Sequence, residues 1–365
     1  MRFLHVVGAR PNFMKIAPVM RALEGRPGVS QFLVHTGQHY DDAMSGSFFR
    51  DLEIPTPDVD LGVGSASHAE QIGAIMQGLD PLIAVREPDV VVVVGDVNST
   101  VAAALTASSR QVSVAHVEAG LRSFDRSMPE ELNRVVTDRI SDQLFVHSPE
   151  AVDNLRREGA PAVSIHEVGN TMIDTVLRLL PRTGDLAVLE GLGLAKDGAT
   201  PLPYVLATLH RPSNVDDLTR LGGVMSALRQ VSSDLPVVFP VHPRTKARIQ
   251  ELVEDAGADP SDVRTCEAMP YVEFLTLQRH ASVVITDSGG VQEETTAMGV
   301  PCLTLRPNTE RPITITIGTN RLVPDPDDLP RAVGAVLADP PKGQVPTGWD
   351  GKAGERIADV LVGMR

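Results

Sequence analysis

The chain is short of cysteine, of positive charge and of long apolar runs. Two cysteines, Cys266 and Cys302, stand among 365 residues. Neither lies in a CxxC pair, so no disulfide framework is written here. Both are expected to be small buried residues in a reducing compartment. Lys and Arg total 33 against 47 Asp and Glu, a formal net charge of −14. That balance excludes a general affinity for nucleic acid or for anionic membrane surfaces, which select basic faces. No apolar run approaches the ~18 residues of a membrane-spanning helix. The N-terminus, Met1 to Val7, meets Gly8 at once. It is too short for a signal-peptide core and is expected to be a first strand; the cysteine usage makes a reducing cytoplasm the expected compartment. There is no GxGxxG after a strand and no GxxxxGK[ST], which speaks against an NAD-dependent enzyme or a P-loop NTPase. His5, His35 and His39 show no paired ligand spacing, and His116 with Glu118 projects along a strand end. No metal and no cofactor are expected.

What is present is a globular composition, 42% hydrophobic and 22% charged, over a length suited to two domains. Apolar, β-rich runs recur at Phe3–Val7, Phe32–His35, Val90–Val94, Val112–Val117, Leu144–Val146, Ser164–Val168, Tyr204–Leu209, Val237–Val241, Val263–Cys266, Val283–Thr286 and Cys302–Leu305. Helical periodicities lie between them, such as Ile72, Ile75, Met76, Leu79 and Ile83, or Leu218, Leu221, Val224, Met225 and Leu228. Strands apolar almost throughout are those of parallel sheets covered on both faces, and their alternation with helices predicts doubly wound α/β architecture. The alternation pauses in the Pro/Gly-rich stretch 181–203, compositionally the best domain boundary. A second such stretch, near 340–351, precedes a final amphipathic helix carrying Ile357, Val360 and Leu361.

In open parallel sheets ligands bind beyond the carboxyl ends of the strands. Those ends read Gly8-Ala9-Arg10-Pro11, Gly95-Asp96, Glu118-Ala119-Gly120, Gly169-Asn170, His210-Arg211, His242-Pro243-Arg244 and Asp287-Ser288-Gly289-Gly290. Singly, an Asp or Ser there is a helix cap. Seven in succession point to one shared cleft between two domains. Carboxylates are the strongest signal: Asp96 in GDVNST, Glu118 in HVEAGLRS and Glu131 in MPEELNR. Glu130 and Glu131 open a helix, where they would also complement its dipole. As chemistry, the three form an acid/base set, provided their surroundings tune them. The stretch TDSGGVQEE, 286–294, has the glycines of a phosphate loop but carboxylates where a lysine is usual.

Eleven motifs in order carry a resemblance: GARPNFMKIAP (8–18), TGQHYD (36–41), GDVNST (95–100), HVEAGLRS (116–123), PEELNR (129–134), VGNTMID (168–174), TLHRPSNV (208–215), PVHPRT (240–245), TDSGGVQEE (286–294), NTERP (308–312) and DGKAGERI (350–357). Together they closely resemble the non-hydrolysing UDP-N-acetylglucosamine 2-epimerases of bacteria, over essentially the full length. The resemblance implies two Rossmann-like domains of the glycosyltransferase B type with substrate in the interdomain cleft. It implies domains at 1–170 plus about 353–365, and at 171–352, the second binding UDP. It further implies a homodimer acting on a UDP-sugar by elimination of UDP to 2-acetamidoglucal and re-addition. Matched motif by motif, Asp96, Glu118 and Glu131 take acid/base positions, with the face of C2 served by each left open. Lys15 and Arg10 match cleft cations, and His210 a diphosphate-contacting histidine. Ser288, Gly289 and Gly290 match a phosphate cradle, Glu294 a ribose-binding glutamate, Phe274 a uracil-pocket aromatic, and Arg311 a substrate arginine. Glu293 is left with helix-dipole complementation.

Two departures stand out. Pro212-Ser213-Asn214-Val215 follows His210-Arg211 where better-known members carry an Arg-Glu-Asn run. Tyr40 to Ser45 differs from the pattern that lines a second, activating UDP-GlcNAc site, which puts that site in doubt. GARPNF and TGQHYDD also occur in relatives acting on UDP-2,3-diacetamido-glucuronic acid; intact Glu293-Glu294 and Thr309-Glu310-Arg311-Pro312 favour UDP-GlcNAc. A glycosyltransferase of the same architecture is the rival reading, and it has no need of three carboxylates around C2.

Overall fold

A computed structural model describes residues 1–37, 52–196, 200–241, 243–256 and 263–364. The TGQHYD motif beyond Gly37, the departure at 40–45, and His39 and His242 lie outside the described residues. The chain divides into two compact units, Met1–Arg178 with Thr347–Arg365, and Leu179–Pro346.

Among the described residues of the first unit seven parallel strands form one sheet. They are β1 (Arg2–Val7), β2 (Ser30–His35), β3 (Val59–Asp60), β4 (Val90–Val94), β5 (Ser113–Val117), β6 (Gln143–Val146) and β7 (Ile165–Glu167), in the order β3-β2-β1-β4-β5-β6-β7. Strand order reverses between β1 and β4, so their C-terminal ends open a crevice there. All five valines of β4 are buried. On one face the sheet packs Leu4, Val6, Val91 and Val93 against Ile75, Leu79 and Ile83 of the helix His68–Arg86 and against alanines of the helix Asn98–Ser109. Two-sided burial is why these strands show runs rather than alternation.

Among the described residues of the second unit six parallel strands follow the same plan. They are β10 (Val205–Thr208), β11 (Val237–Val241), β12 (Val263–Glu267), β13 (Val283–Thr286), β14 (Cys302–Thr304) and β15 (Asn320–Leu322), in the order β12-β11-β10-β13-β14-β15. A small antiparallel pair, β8 (Ala195–Lys196) and β9 (Thr200–Pro201), precedes them. Val205 and Ala207 face one core; Tyr204 and Leu206 face another. Order again reverses between β10 and β13. Two doubly wound parallel units are the fold class that the strand pattern calls for.

Boundaries differ from expectation. The division falls at 178/179, just before the stretch 181–203 expected to hold it, and Leu189 and Leu194 are fully buried in a core of the second unit, beside Tyr204. The helix Thr171–Leu179 lies, but for its last residue, with the first unit, because Thr175 Oγ1 donates to Met14 O at 2.6 Å. Residues 347–352 also belong there, since Trp349 Nε1 donates to His147 O at 3.0 Å. The C-terminal helix, Ala353–Gly363, packs on the helix Arg10–Leu23; Gly354 N donates to Asp174 Oδ2 at 2.8 Å. Cys302 is buried as expected, whereas Cys266 is only half-buried.

Candidate active site

In the first unit the crevice at the reversal of strand order gathers polar side chains. The turn after β1 is fastened by Asn12. Its Oδ1 accepts from Gly8 N and Ala9 N at 3.2 and 3.0 Å, while its Nδ2 donates to Val94 O at 2.9 Å. The turns after β1 and β4 are thereby one structure. From the same helix, buried Lys15 forms an ion pair with Glu118, which is buried as well. Gly95 (φ +68) supplies a left-handed turn, and a Cβ there would stand 3.1 Å from Lys15 Nζ and 3.5 Å from Glu118 Oε2. Glu118 itself sits at φ +70, a conformation uncommon outside glycine and concentrated at functional sites. Lys15, Glu118, His147 and Asn170 line one recess. The Arg10 side chain lies outside the described part.

Asp96 and Glu131 meet through a third residue. Arg134 Nη1 donates to Asp96 Oδ2 at 2.5 Å and Nη2 to Glu131 Oε2 at 3.2 Å. Glu131 also accepts from Ser123 N, Ser123 Oγ and Phe124 N at 2.8, 3.0 and 3.0 Å. Behind this loop, His116 Nε2 bonds to Gly95 O at 2.8 Å and Nδ1 lies 2.6 Å from Asp138 Oδ1. Asp138 also takes Gly120 N and the Arg122 guanidinium. Burial works to raise the Asp138 carboxyl, but His116 and Arg122 outweigh it and hold it below the usual range. His116 is thus a satisfied core histidine.

In the second unit the crevice lies between β10 and β13. Ser288 is the N-cap of the helix Gly289–Met298, and its side chain makes no cap bond to the first turn. The backbone donors and dipole of such an end suit an anion. A Cβ at Gly289 would stand 2.2 Å from Arg311 Nη1, so a side chain there would require the arginine to shift. Arg311 is buried and pairs with Glu310 at 2.5 Å and Glu293 at 2.9 Å. Glu293 is therefore not a dipole partner at a helix end, as expected from sequence, but the buried counter-ion of Arg311. Glu310 takes Arg306 as well; burial would raise its carboxyl, yet Arg311, Arg306 and Arg211 hold it well below the usual range. Glu294 accepts from Tyr271 Oη at 2.7 Å and Gln278 Nε2 at 2.6 Å. Burial pushes its carboxyl up to about 7 against those two bonds. Phe274 is half-buried against the core that holds Tyr204 and Leu277. His210 exposes 53% of its side chain and stands 3.1 Å from Asp287.

Sequence reasoning overlooked Arg134, Asp287 and Glu310 as organisers, although all three lie inside quoted motifs. Glu131 and Arg134 stand at i,i+3 on one helix, a spacing that pairs side chains and was available as a signal.

A protein-family model described as UDP-N-acetylglucosamine 2-epimerase matches residues 21–362. The chain is 40% identical over 368 residues to the UDP-N-acetylglucosamine 2-epimerase of Methanocaldococcus jannaschii, covering 99% of each. It is 39% identical over 370 residues to the UDP-2,3-diacetamido-2,3-dideoxy-D-glucuronate 2-epimerase of Pseudomonas aeruginosa, again 99% of each. The crystal structure of the M. jannaschii enzyme in complex with UDP-GlcNAc and UDP matches with a TM-score of 0.90 over 99% of both chains. The Neisseria meningitidis enzyme bound to UDP-GlcNAc, 27% identical, matches at 0.89 over 100% of both.

Proposed function

The chain belongs to the UDP-N-acetylglucosamine 2-epimerase family, and we propose that it interconverts UDP-N-acetylglucosamine and UDP-N-acetylmannosamine. The observation that carries this reading is the near-full-length identity to an enzyme so named, joined to a lysine–glutamate pair at the strand-order reversal of the first unit. The C2 hydrogen of the sugar is not adjacent to a carbonyl carbon, so removing it directly is hard. Elimination relieves that demand. A base takes the C2 proton, the C1=C2 bond forms, and the C1–O bond breaks with its electron pair leaving on UDP. Re-addition returns a proton to the opposite face of C2 and rebuilds the C1–O bond.

Asp96, Glu118 and Glu131 form the acid/base set, with Lys15 fixing Glu118 and Arg10 as a further cation. The second unit holds UDP. Its diphosphate takes the backbone donors of Ser288, Gly289 and Gly290 with His210 and Arg311; Glu294 takes the ribose hydroxyls, and Phe274 flanks uracil. The enzyme works as a cytoplasmic homodimer. Among the described residues no helix is long and apolar enough to cross a membrane.

A second reading is C2 epimerisation of a UDP-diacetamido-glucuronic acid, favoured by the nearly equal identity to the P. aeruginosa enzyme. Incubation with each sugar nucleotide alone, without acceptor, followed by ¹H NMR, decides. A gluco/manno mixture from UDP-GlcNAc supports the first reading. Turnover of the diacetamido-uronate alone supports the second, and no turnover of either overturns both.

A further inference from the structure

We propose that Arg134 is a positioning residue of this site, tying the turn that carries Asp96 to the loop that Glu131 caps. The proposal rests on the epimerase reading for the roles of Asp96 and Glu131. Its own ground is geometric. Arg134 is among the largest fully buried side chains of the chain. Its Nη1 reaches Asp96, 38 residues away in sequence, and its Nη2 reaches Glu131, three residues away. Nε has no hydrogen-bond partner among the described residues, and the guanidinium engages these two carboxylates through Nη1 and Nη2. Asn133, next in sequence, donates to the Asp96 carbonyl at 2.9 Å. Two successive residues of the helix Pro129–Ile140 thus grip one turn, by its side chain and by its backbone.

Glu131 completes the device. Its Oε2 takes Ser123 N, Ser123 Oγ and Arg134 Nη2, while Oε1 takes Phe124 N and keeps a lone pair for chemistry. It holds Ser123 and Phe124, the latter at φ +57. A planar fork can serve two carboxylates in a fixed orientation, which a lysine ammonium cannot. Arg134 therefore sets the distance between the Asp96 side chain and the 123–124 loop, without itself touching substrate.

The test uses Arg134→Met, Arg134→Lys, Asp96→Asn and the double variant Arg134→Met with Asp96→Asn in the full-length enzyme. Steady-state kinetics, UDP affinity and amide hydrogen exchange are measured on each. Arg134→Met should lower kcat on the order of 10²-fold, the cost of a small misplacement, while KM and UDP affinity stay within about twofold. Arg134→Lys should recover part of that loss. The double variant should be no slower than the worse single, and exchange should quicken in 95–98 and 121–128. Unchanged kcat, a loss carried by KM, losses that multiply in the double variant, or unchanged exchange in both segments would each overturn the proposal. If Arg134→Met does not fold, Arg134→Lys decides by the same two readouts. If wild type turns over neither sugar nucleotide, the functional reading falls, and amide exchange alone decides the structural claim for Arg134.

Discussion

Asp287 receives the backbone N–H of His210 on both its oxygens, at 3.1 and 3.2 Å, and lies 3.1 Å from the His210 ring. It also takes Arg211 N at 3.0 Å and Asn214 Nδ2 at 3.1 Å, while fully buried itself. Burial would raise the Asp287 carboxyl; His210, Arg211 and Asn214 outweigh it and hold it below the usual range. Its contribution to stability is thus present above the ordinary carboxylate range and is lost as pH falls through the lowered value. Asp287→Asn should cost about 2–3 kcal/mol in denaturant unfolding near neutrality and flatten the acid side of the stability–pH curve. A variant as stable as wild type, with the same acid limb, would refute this.

Glu118→Gln keeps the shape of the side chain and removes its charge and its proton capacity. Turnover should fall 10²-fold or more, the usual scale of an acid/base group, with UDP affinity unchanged because UDP is assigned to the other unit. Lys15→Met should act in the same direction, since it removes the ammonium that pairs with buried Glu118. Isothermal titration with UDP beside kcat measurements checks both. A large fall in UDP affinity would remove Glu118 from the acid/base set.

Glu294 has a folded-state value of about 7, above the ordinary 4.5. A raised value means that folding favours the protonated form, so its stabilising contribution is full below the ordinary value and fades as pH rises through about 7. Glu294→Gln should remove that slope; Gln278 can turn its amide to meet the new side chain. If ribose hydroxyls donate to the carboxylate, uridine should bind wild type more tightly at about pH 8 than at about pH 6, and the variant should lose the difference. Uridine is the chosen probe because it carries no phosphate to titrate.

Gly354 lies where the C-terminal helix crosses the helix Arg10–Leu23. A Cβ there would stand 2.5 Å from Pro18 O and 2.6 Å from Pro18 C, both backbone atoms that cannot swing aside. Gly354→Ala should lower stability by about 1–3 kcal/mol, the range of overpacking, and leave UDP affinity intact. Thermal unfolding with and without UDP checks it; an unchanged midpoint would show that the helix can shift freely.

Much of the fold was legible because buried parallel strands write themselves as apolar runs: all eleven expected runs contain strands. What escaped were β3, β8, β9 and β15, two or three residues long and without a run to read. Boundaries escaped for a different reason. Whether 171–178 joins the first unit depends on Thr175 meeting Met14, 161 residues away. In the site, the strand-end position of Glu118 and the family resemblance for Lys15 brought the two to attention, and the structure pairs them. Motif spacing could not show that Glu293 neutralises Arg311 or that Arg134 reaches Asp96. Those are tertiary pairings between residues whose local context reads equally well as helix cap or solvated charge.

The most direct measurement is a ¹H NMR time course with UDP-N-acetylglucosamine as the sole substrate in D₂O. Elimination and re-addition predict that deuterium enters C2 of both epimers as UDP-N-acetylmannosamine appears, with no acceptor present. Epimer formation with full retention of the C2 hydrogen would contradict the account, as would the absence of any manno product.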